Sequence, residues 1–288
     1  MMVHEEPYAK ISPTAKFVAY GRTFTDIPFA REIAAECDAE TAFQTLYVAE
    51  SLPLQAPFWE ARYKTTNQII AREGMTQMLE IAAGLSPRGL AMTEDPDVVY
   101  VATDLPEMLE QEKAIAGAIL ARLHMQRPNL HFSVANALDR DEVLQAATPF
   151  QADKPVVILT EGLLTYLTRA EQATLAANVH ELLARYGGVW ITPDVSTKQS
   201  WDTFRRIDKR MQQRAQTISS VTERSLYENL FIDKNDVQQF FTSAGFKIEE
   251  YSFRHVLDEL SSLKRLNNFD RESIVQTVQG FTALILTL

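Results

Sequence analysis

Three acidic residues stand at the ends of apolar runs, where a carboxylate can meet a ligand. Asp104 follows the run Val98–Thr103 and lies twenty positions beyond Gly84. An acid at that distance from a glycine turn can accept hydrogen bonds from both hydroxyls of a ribose. Glu161 follows the run 155–160, Pro-Val-Val-Ile-Leu-Thr, and precedes Gly162. Glutamate is almost never buried without a partner, so this one is expected to face a cleft. Asp194 follows Val189–Thr192 after Pro193 and is expected at the same cleft mouth. The glycine turn reads Glu80-Ile81-Ala82-Ala83-Gly84-Leu85-Ser86-Pro87. Its small residues let a ligand approach the backbone, and Ser86-Pro87 suits a helix start. Each feature also has a plainer use. The loop can be a tight strand-to-helix turn, and Asp104 can be a helix N-cap ahead of Leu105-Pro106.

These residues need a scaffold that brings strand ends to one place. From residue 75, strand-like runs at 77–81, 98–103, 130–135, 155–160 and 189–192 alternate with helical stretches. The helices are expected at 105–123 and 169–186, the second stopped by Gly187-Gly188. The run 155–160 is apolar almost throughout, as a strand buried on both faces should be. Such alternation predicts an α/β fold with a doubly wound, mostly parallel, Rossmann-like sheet. Further strands at 246–253 and 281–288 bring the sheet to seven, with a helix over 234–244. Residues 1–74 read as a helical cap with helices near 26–38, 40–50 and 57–73, and 197–230 as a helical insertion over the strand ends. One domain over 1–288 is expected: cap 1–74, cofactor-binding core 75–196, insertion or lid 197–232, and the C-terminal part of the sheet 233–288. In open α/β sheets ligands bind beyond the carboxyl ends of the strands, where the strand order reverses.

Composition narrows the partners. A net charge of −10 argues against a nucleic-acid-binding surface, which needs clustered Lys and Arg. The single cysteine, Cys37, permits no internal disulfide and suits a reducing compartment. Residues 1–10 carry no signal-like apolar run, and no stretch of ~18 apolar residues exists to span a bilayer. No membrane partner and a cytoplasmic location are therefore expected. The five histidines, His4, His124, His131, His180 and His255, show no partner spacing. His124 and His180 fall in predicted helices. No general base is named, and no metal is expected.

Dinucleotides and S-adenosylmethionine both use a glycine turn followed by an acid. The dinucleotide fingerprint needs three glycines, one for backbone approach to the pyrophosphate. Only Gly84 is present in this loop, beside Ala82 and Ser86, which favours the cofactor without phosphates. In the loop after the third run, Asn136 can meet an adenine edge by its side chain, and Ala137 or Leu138 by backbone amide.

Together these segments resemble the leucine carboxyl methyltransferase family, including its tetracenomycin-type polyketide O-methyltransferases. The matching segments are 160–167 (Thr-Glu-Gly-Leu-Leu-Thr-Tyr-Leu), 99–106 (Val-Tyr-Val-Ala-Thr-Asp-Leu-Pro), Ser12-Pro13-Thr14-Ala15 through Val18-Ala19 to Arg22, and 61–67 (Ala-Arg-Tyr-Lys-Thr-Thr-Asn). The resemblance implies a class I S-adenosylmethionine-dependent methyltransferase. It implies that Arg62 pairs with the methionine carboxylate, with Lys16, Arg22 or Lys64 as a second basic contact. It also implies that Glu80, Ala82, Gly84 and Leu105 belong to the cofactor site with Asn136 and Ala137, that Asp104 holds the ribose, that Leu138 lies by the adenine, and that Glu161 sits near the methionine end. Three departures stand out: Ala82 where glycine is common, Ser86-Pro87-Arg88 in place of Asp-Thr-Arg, which retains only Arg88, and Asn136-Ala137 where an acid is usual.

The implied reaction is methyl transfer to a carboxylate or hydroxyl of a small molecule, polyketide-like by the same resemblance. Tyr166, Trp201 and Phe204 are the aromatic candidates for lining the acceptor pocket, with core packing as their alternative use. Two other functions stay open: protein carboxyl methylation at a chain terminus, and cofactor binding without transferase activity.

Overall fold

Val156–Thr160 is buried at every position, which requires a strand covered on both faces. A computed structural model of the chain, describing residues 12–41, 52–207, 225–266 and 268–288, shows how that cover is built. The cap contributes α1 (Ser12–Arg22), α2 (Ala30–Glu36) and α3 (Leu52–Glu73). The core runs β1 (Gln77–Ile81), α4 (Arg88–Met92), β2 (Val99–Asp104), α5 (Pro106–Arg122), β3 (Leu130–Val134), α6 (Arg140–Ala146), β4 (Val156–Thr160), α7 (Arg169–Tyr186) and β5 (Gly188–Thr192). Then follow α8 (Lys198–Ile207), α9 (Leu226–Asn229), α10 (Lys234–Ser243), β6 (Lys247–Ser252), α11 (Asn268–Gln279) and β7 (Thr282–Thr287). Short 3₁₀ turns occupy Leu164–Tyr166, Phe253–Glu259 and Ser261–Arg265.

The seven strands lie in the order β3-β2-β1-β4-β5-β7-β6. Strands β1 to β5 are parallel, and β7 runs antiparallel between β5 and β6. The strand order reverses between β1 and β4. Ile81, the last residue of β1, is level with Thr103 of β2 and Thr160 of β4. The segments beginning at Ala82, Asp104 and Glu161 therefore leave the sheet side by side, at the place where such sheets bind ligands.

Two apolar cores sandwich the sheet. One packs α6, α7 and α10 against residues such as Ile158 and Trp190, and the other packs α3 and the 3₁₀ turns against Tyr100, Val157 and Ile191. The fully buried Trp190 ring contacts Phe241 and Phe246, and its indole N–H donates to Thr160 Oγ1 at 2.9 Å. Truncating such a ring to alanine costs about 3–5 kcal/mol. Helix α7 starts at a capping box, where Thr168 and Glu171 satisfy each other's backbone amides, and it stops at Gly187.

The seven expected strands are all present, each within a residue or two of its expected ends. The cap differs more. Helix α1 has no counterpart among the expected helices, because its stability comes from packing. Phe17 meets Trp59 of α3 edge-on at 5.2 Å, and Gly21 lies flat against the same indole, where a Cβ would sit 1.8 Å from the ring. The helix expected near 26–38 is shorter, at Ala30–Glu36. The one expected near 40–50 lies almost wholly outside the described residues. His124 sits past the end of α5 with φ 53°, not inside the helix. The insertion is helical at both ends, and its middle, 208–224, lies outside the described residues. Among the described residues no helix is long and apolar enough to cross a membrane.

Candidate functional site

Asp104 and the glycine turn are coupled directly. Asp104 Oδ2 accepts the Gly84 amide at 2.8 Å, and Oδ1 accepts the Leu105 amide at 2.8 Å. Each oxygen keeps a second lone pair for an outside hydroxyl. Burial raises the Asp104 pKa, and the two amide hydrogen bonds oppose that rise. Leu105 occupies the N-cap of α5 with Pro106 at the first helical position. Ala82 and Gly84 both hold left-handed backbone, φ 56° and 61°. Helix α1 lies over the turn, with the Ala15 Cβ 3.7 Å from where a Gly84 Cβ would stand.

Beside this turn three arginines from three helices converge on Glu161. Arg22 of α1 donates from Nη2 to Oε1 at 2.8 Å, Arg62 of α3 from Nε to Oε1 at 3.1 Å, and Arg88 of α4 from Nη2 to Oε2 at 2.5 Å. Arg22 also donates to the Leu85 carbonyl at 3.2 Å. Burial alone would raise the Glu161 pKa, but the guanidiniums of Arg62, Arg88 and Arg22 outweigh it and hold it at about 2. Burial lowers the pKa of Arg22, with Glu161 opposing and the other two arginines adding to the shift. For Arg88, burial works against the charge, and Glu161 and Glu80 more than restore it.

Glu80 is placed beneath the turn. It is 2% exposed, accepts the Tyr100 hydroxyl at 2.6 Å, and lies 3.9 Å from Arg88 Nε. Its pKa is raised by burial, against the pull of Arg88. Three arginines thus face one ionised carboxylate and a second one biased toward its neutral form. Among the described residues the buried Arg22 Nε has no hydrogen-bond partner. A site with surplus positive charge and an unused buried donor fits an anionic group. Together with the Asp104 lone pairs, it fits a ligand carrying a carboxylate at one end and a ribose at the other.

The remaining expected residues divide. In the loop after β3, Asn136 Oδ1 accepts the Leu138 amide at 3.0 Å, and the Asn136 amide donates to Glu142 at 2.7 Å. This closes a side-chain turn, so both the Asn136 oxygen and the Leu138 amide are engaged within the loop. The buried Ala137 is held through its carbonyl by Asn178 at 3.0 Å. Lys64 turns away from the site, toward Asp26 at 2.7 Å, Glu60 at 2.8 Å and the Glu259 carbonyl at 2.7 Å. Lys16 lies near Cys37, where its charge bears on the buried thiol. Arg22 is therefore the basic residue that accompanies Arg62.

Asp194 is tied into the scaffold. It accepts from Thr192 Oγ1 at 2.8 Å and from the Leu163 and Leu164 amides at 2.9 and 3.2 Å, fixing the turn that carries Glu161. The Tyr166 hydroxyl reaches Thr14 Oγ1 of α1 at 3.4 Å. Trp201 is half-buried on α8, and the Phe204 side chain lies outside the described residues. Arg88, the one residue retained from the family's Asp-Thr-Arg, is the participant left without a role by its sequence.

Residues 19–180 match the family model described as leucine carboxyl methyltransferase, which is more than half of the chain. This chain belongs to the leucine carboxyl methyltransferase family. Two curated relatives are assigned by name to the S-adenosyl-L-methionine-dependent methyltransferases. The one from Mycobacteroides abscessus is 27% identical over 179 residues, covering 62% of this chain and 55% of that protein. The one from Mycolicibacterium smegmatis is 25% identical over 194 residues, covering 66% and 61%. The chain spans about half the length of the curated relatives it matches. Among solved structures, a DUF574 family protein from Streptomyces avermitilis aligns with a TM-score of 0.58 at 14% identity, covering 95% of this chain and 96% of that one. A structure assigned to the methyltransferases from Thermobifida fusca aligns at 0.54 and 15%, covering 99% and 96%. At these identities the structural matches speak to the fold, the seven-stranded methyltransferase sheet of this family member.

Proposed function

We propose that the chain binds S-adenosylmethionine at the β1/β4 reversal and transfers its methyl group to an oxygen of a small-molecule acceptor, a carboxylate or a hydroxyl. The carrying observation is the convergence of the Asp104–Gly84 pair with the arginine cluster on Glu161. In this reading Asp104 holds the ribose hydroxyls, Arg62 and Arg22 meet the methionine carboxylate, and Glu161 sits near the methionine end. Ala82 and Gly84 form one wall, and Ala137 and Leu138 border the adenine. The bound cofactor supplies an electrophilic methyl on a sulfonium. The protein's part is to align the acceptor oxygen with that methyl and to exclude water.

A carboxylate acceptor needs no general base, whereas a hydroxyl benefits from one. Asp194 is not offered as that base, since its hydrogen bonds from Thr192, Leu163 and Leu164 tie it into the scaffold. Half-buried Tyr166 and Trp201 are the aromatic groups assigned to the acceptor side, and an aromatic, polyketide-like acceptor suits them. We assign the protein to the cytoplasm, in keeping with its lone buried cysteine. Calorimetric titration with S-adenosylmethionine and S-adenosylhomocysteine tests the reading. Absence of binding by the folded protein overturns it. Binding without methyl incorporation into small carboxylates, phenols or peptide C-termini would leave a cofactor-binding protein without transferase activity.

A further inference from the structure

We infer that Arg88 is a positioning residue that holds the cap helix α3 and the Glu161 turn in the one arrangement that receives the cofactor. The inference rests on the proposed cofactor site. Arg88 has no measurable exposure, so its own guanidinium is closed to an outside ligand. It nevertheless touches three separate parts of the site. Nη1 donates to Asn67 Oδ1 and, at 3.3 Å, to the Tyr63 carbonyl, both on α3 beside Arg62. Nη2 donates to Glu161 at 2.5 Å, and Nε stands 3.9 Å from Glu80 of β1. The guanidinium also lies over the Tyr63 ring, 4.4 Å from its centre.

An ammonium cannot reproduce this. A planar fork with five donors can bridge a helix, a strand and a turn at once, and a lysine ammonium cannot. Helix α4 spans only Arg88–Met92, and it follows directly on the glycine turn. The turn, the cap and Glu161 are thereby fixed to one another through a single side chain. The groups that face Glu161 are Arg22 on α1, Arg62 on α3, Arg88 on α4, Glu80 on β1, Tyr63 on α3 and Asp194 after β5. Removing Arg88 takes away one of three positive partners and leaves the carboxylate easier to protonate.

The test titrates S-adenosylhomocysteine into wild type, Arg88→Met, Arg88→Lys and Asn67→Ala between mildly acidic and neutral pH, with thermal unfolding of each. Wild type must bind first, and failure there sinks the proposed function rather than this inference. Arg88→Met is expected to bind about tenfold or more weakly, the size of one lost charge-assisted hydrogen bond. Its affinity should also fall further toward acidic pH than that of wild type. Arg88→Lys keeps the charge and should keep the wild-type pH profile while losing affinity. Asn67→Ala loosens only the α3 side and should weaken binding with the profile unchanged. A folded Arg88→Met with wild-type affinity and profile overturns the inference. If Arg88→Met does not fold, unchanged affinity in both Arg88→Lys and Asn67→Ala overturns it.

Discussion

Asp104 and Gly84, twenty residues apart, are joined by one hydrogen bond of 2.8 Å from the glycine amide to the aspartate carboxylate. The acid expected to hold a ribose thus also holds the turn that walls the cofactor. Asp104→Ala orphans two amides and removes the hydroxyl acceptor together, each unpaired group costing about 1–3 kcal/mol. S-adenosylhomocysteine affinity is expected to fall by tenfold or more, and Asp104→Asn, which keeps one acceptor oxygen, to fall between the two. Calorimetry on folded variants decides this, and normal binding by Asp104→Ala would place the site elsewhere.

Two small-residue swaps in the same turn should act with opposite sign. Ala82 holds φ 56° with a Cβ, a left-handed state that costs an L-residue about 1–2 kcal/mol. Ala82→Gly relieves that cost and loosens the unfolded chain, leaving a small net gain. Gly84→Ala introduces the same strain and should lower stability by about 1 kcal/mol, or roughly 2–4 °C in Tm. Differential scanning calorimetry of the pair reads both signs, and two shifts in the same direction would contradict the backbone assignment.

Arg62 and Lys64 are neighbours on α3 with divergent tasks. Arg62 meets Glu161, while Lys64 clasps Asp26, Glu60 and the Glu259 carbonyl. Lys64→Ala should therefore lower Tm and spare S-adenosylhomocysteine affinity, with Arg62→Ala weakening affinity. A loss of affinity in Lys64→Ala larger than in Arg62→Ala would reverse the assignment.

Acid stability should carry two opposed signatures. Glu161 titrates near 2 in the fold, below the roughly 4.3 of an unfolded glutamate. Its contribution is complete above that unfolded value and is lost as pH falls toward 2. Glu112 has the other sign, since burial first, then the charges of Glu80 and Asp104, raise its pKa, and its Oε2 has no partner among the described residues. Stability from keeping it protonated is present below the unfolded value and is lost as pH rises. Glu112→Gln should raise Tm at about pH 8 and change it little at about pH 4. Thermal unfolding by circular dichroism at both pH values checks this, and an equal shift at both would refute it.

Much of this molecule is legible in its amino-acid sequence. The strands were readable because burial on two faces leaves unbroken apolar runs, as in Val156–Thr160. Asp104 was readable because its spacing from Gly84 reflects a direct bond. The arginine cluster was not, since Arg22 and Glu161 are 139 residues apart and no local period records such a meeting. Family resemblance supplied Arg62 and the methionine-end role of Glu161, but it left Arg22, Lys16 and Lys64 equivalent, because sequence does not say which way a cap helix turns. Arg88 carried no role of its own, for a buried arginine and a surface one are spelled alike. Helix α1 escaped because a ring stacked on Gly21 holds it, a contact with no counterpart in its own pattern.

The indole of Trp190 stands on β5. It is sealed from solvent, and its N–H rests on Thr160, the residue directly before Glu161. An intrinsic fluorophore is thereby hydrogen-bonded to the residue next to the centre of the arginine cluster. Its emission should register any adjustment of that turn when a ligand arrives. Read against the emission of Trp59 and Trp201, a change in that signal on titration would mark occupancy with no label attached.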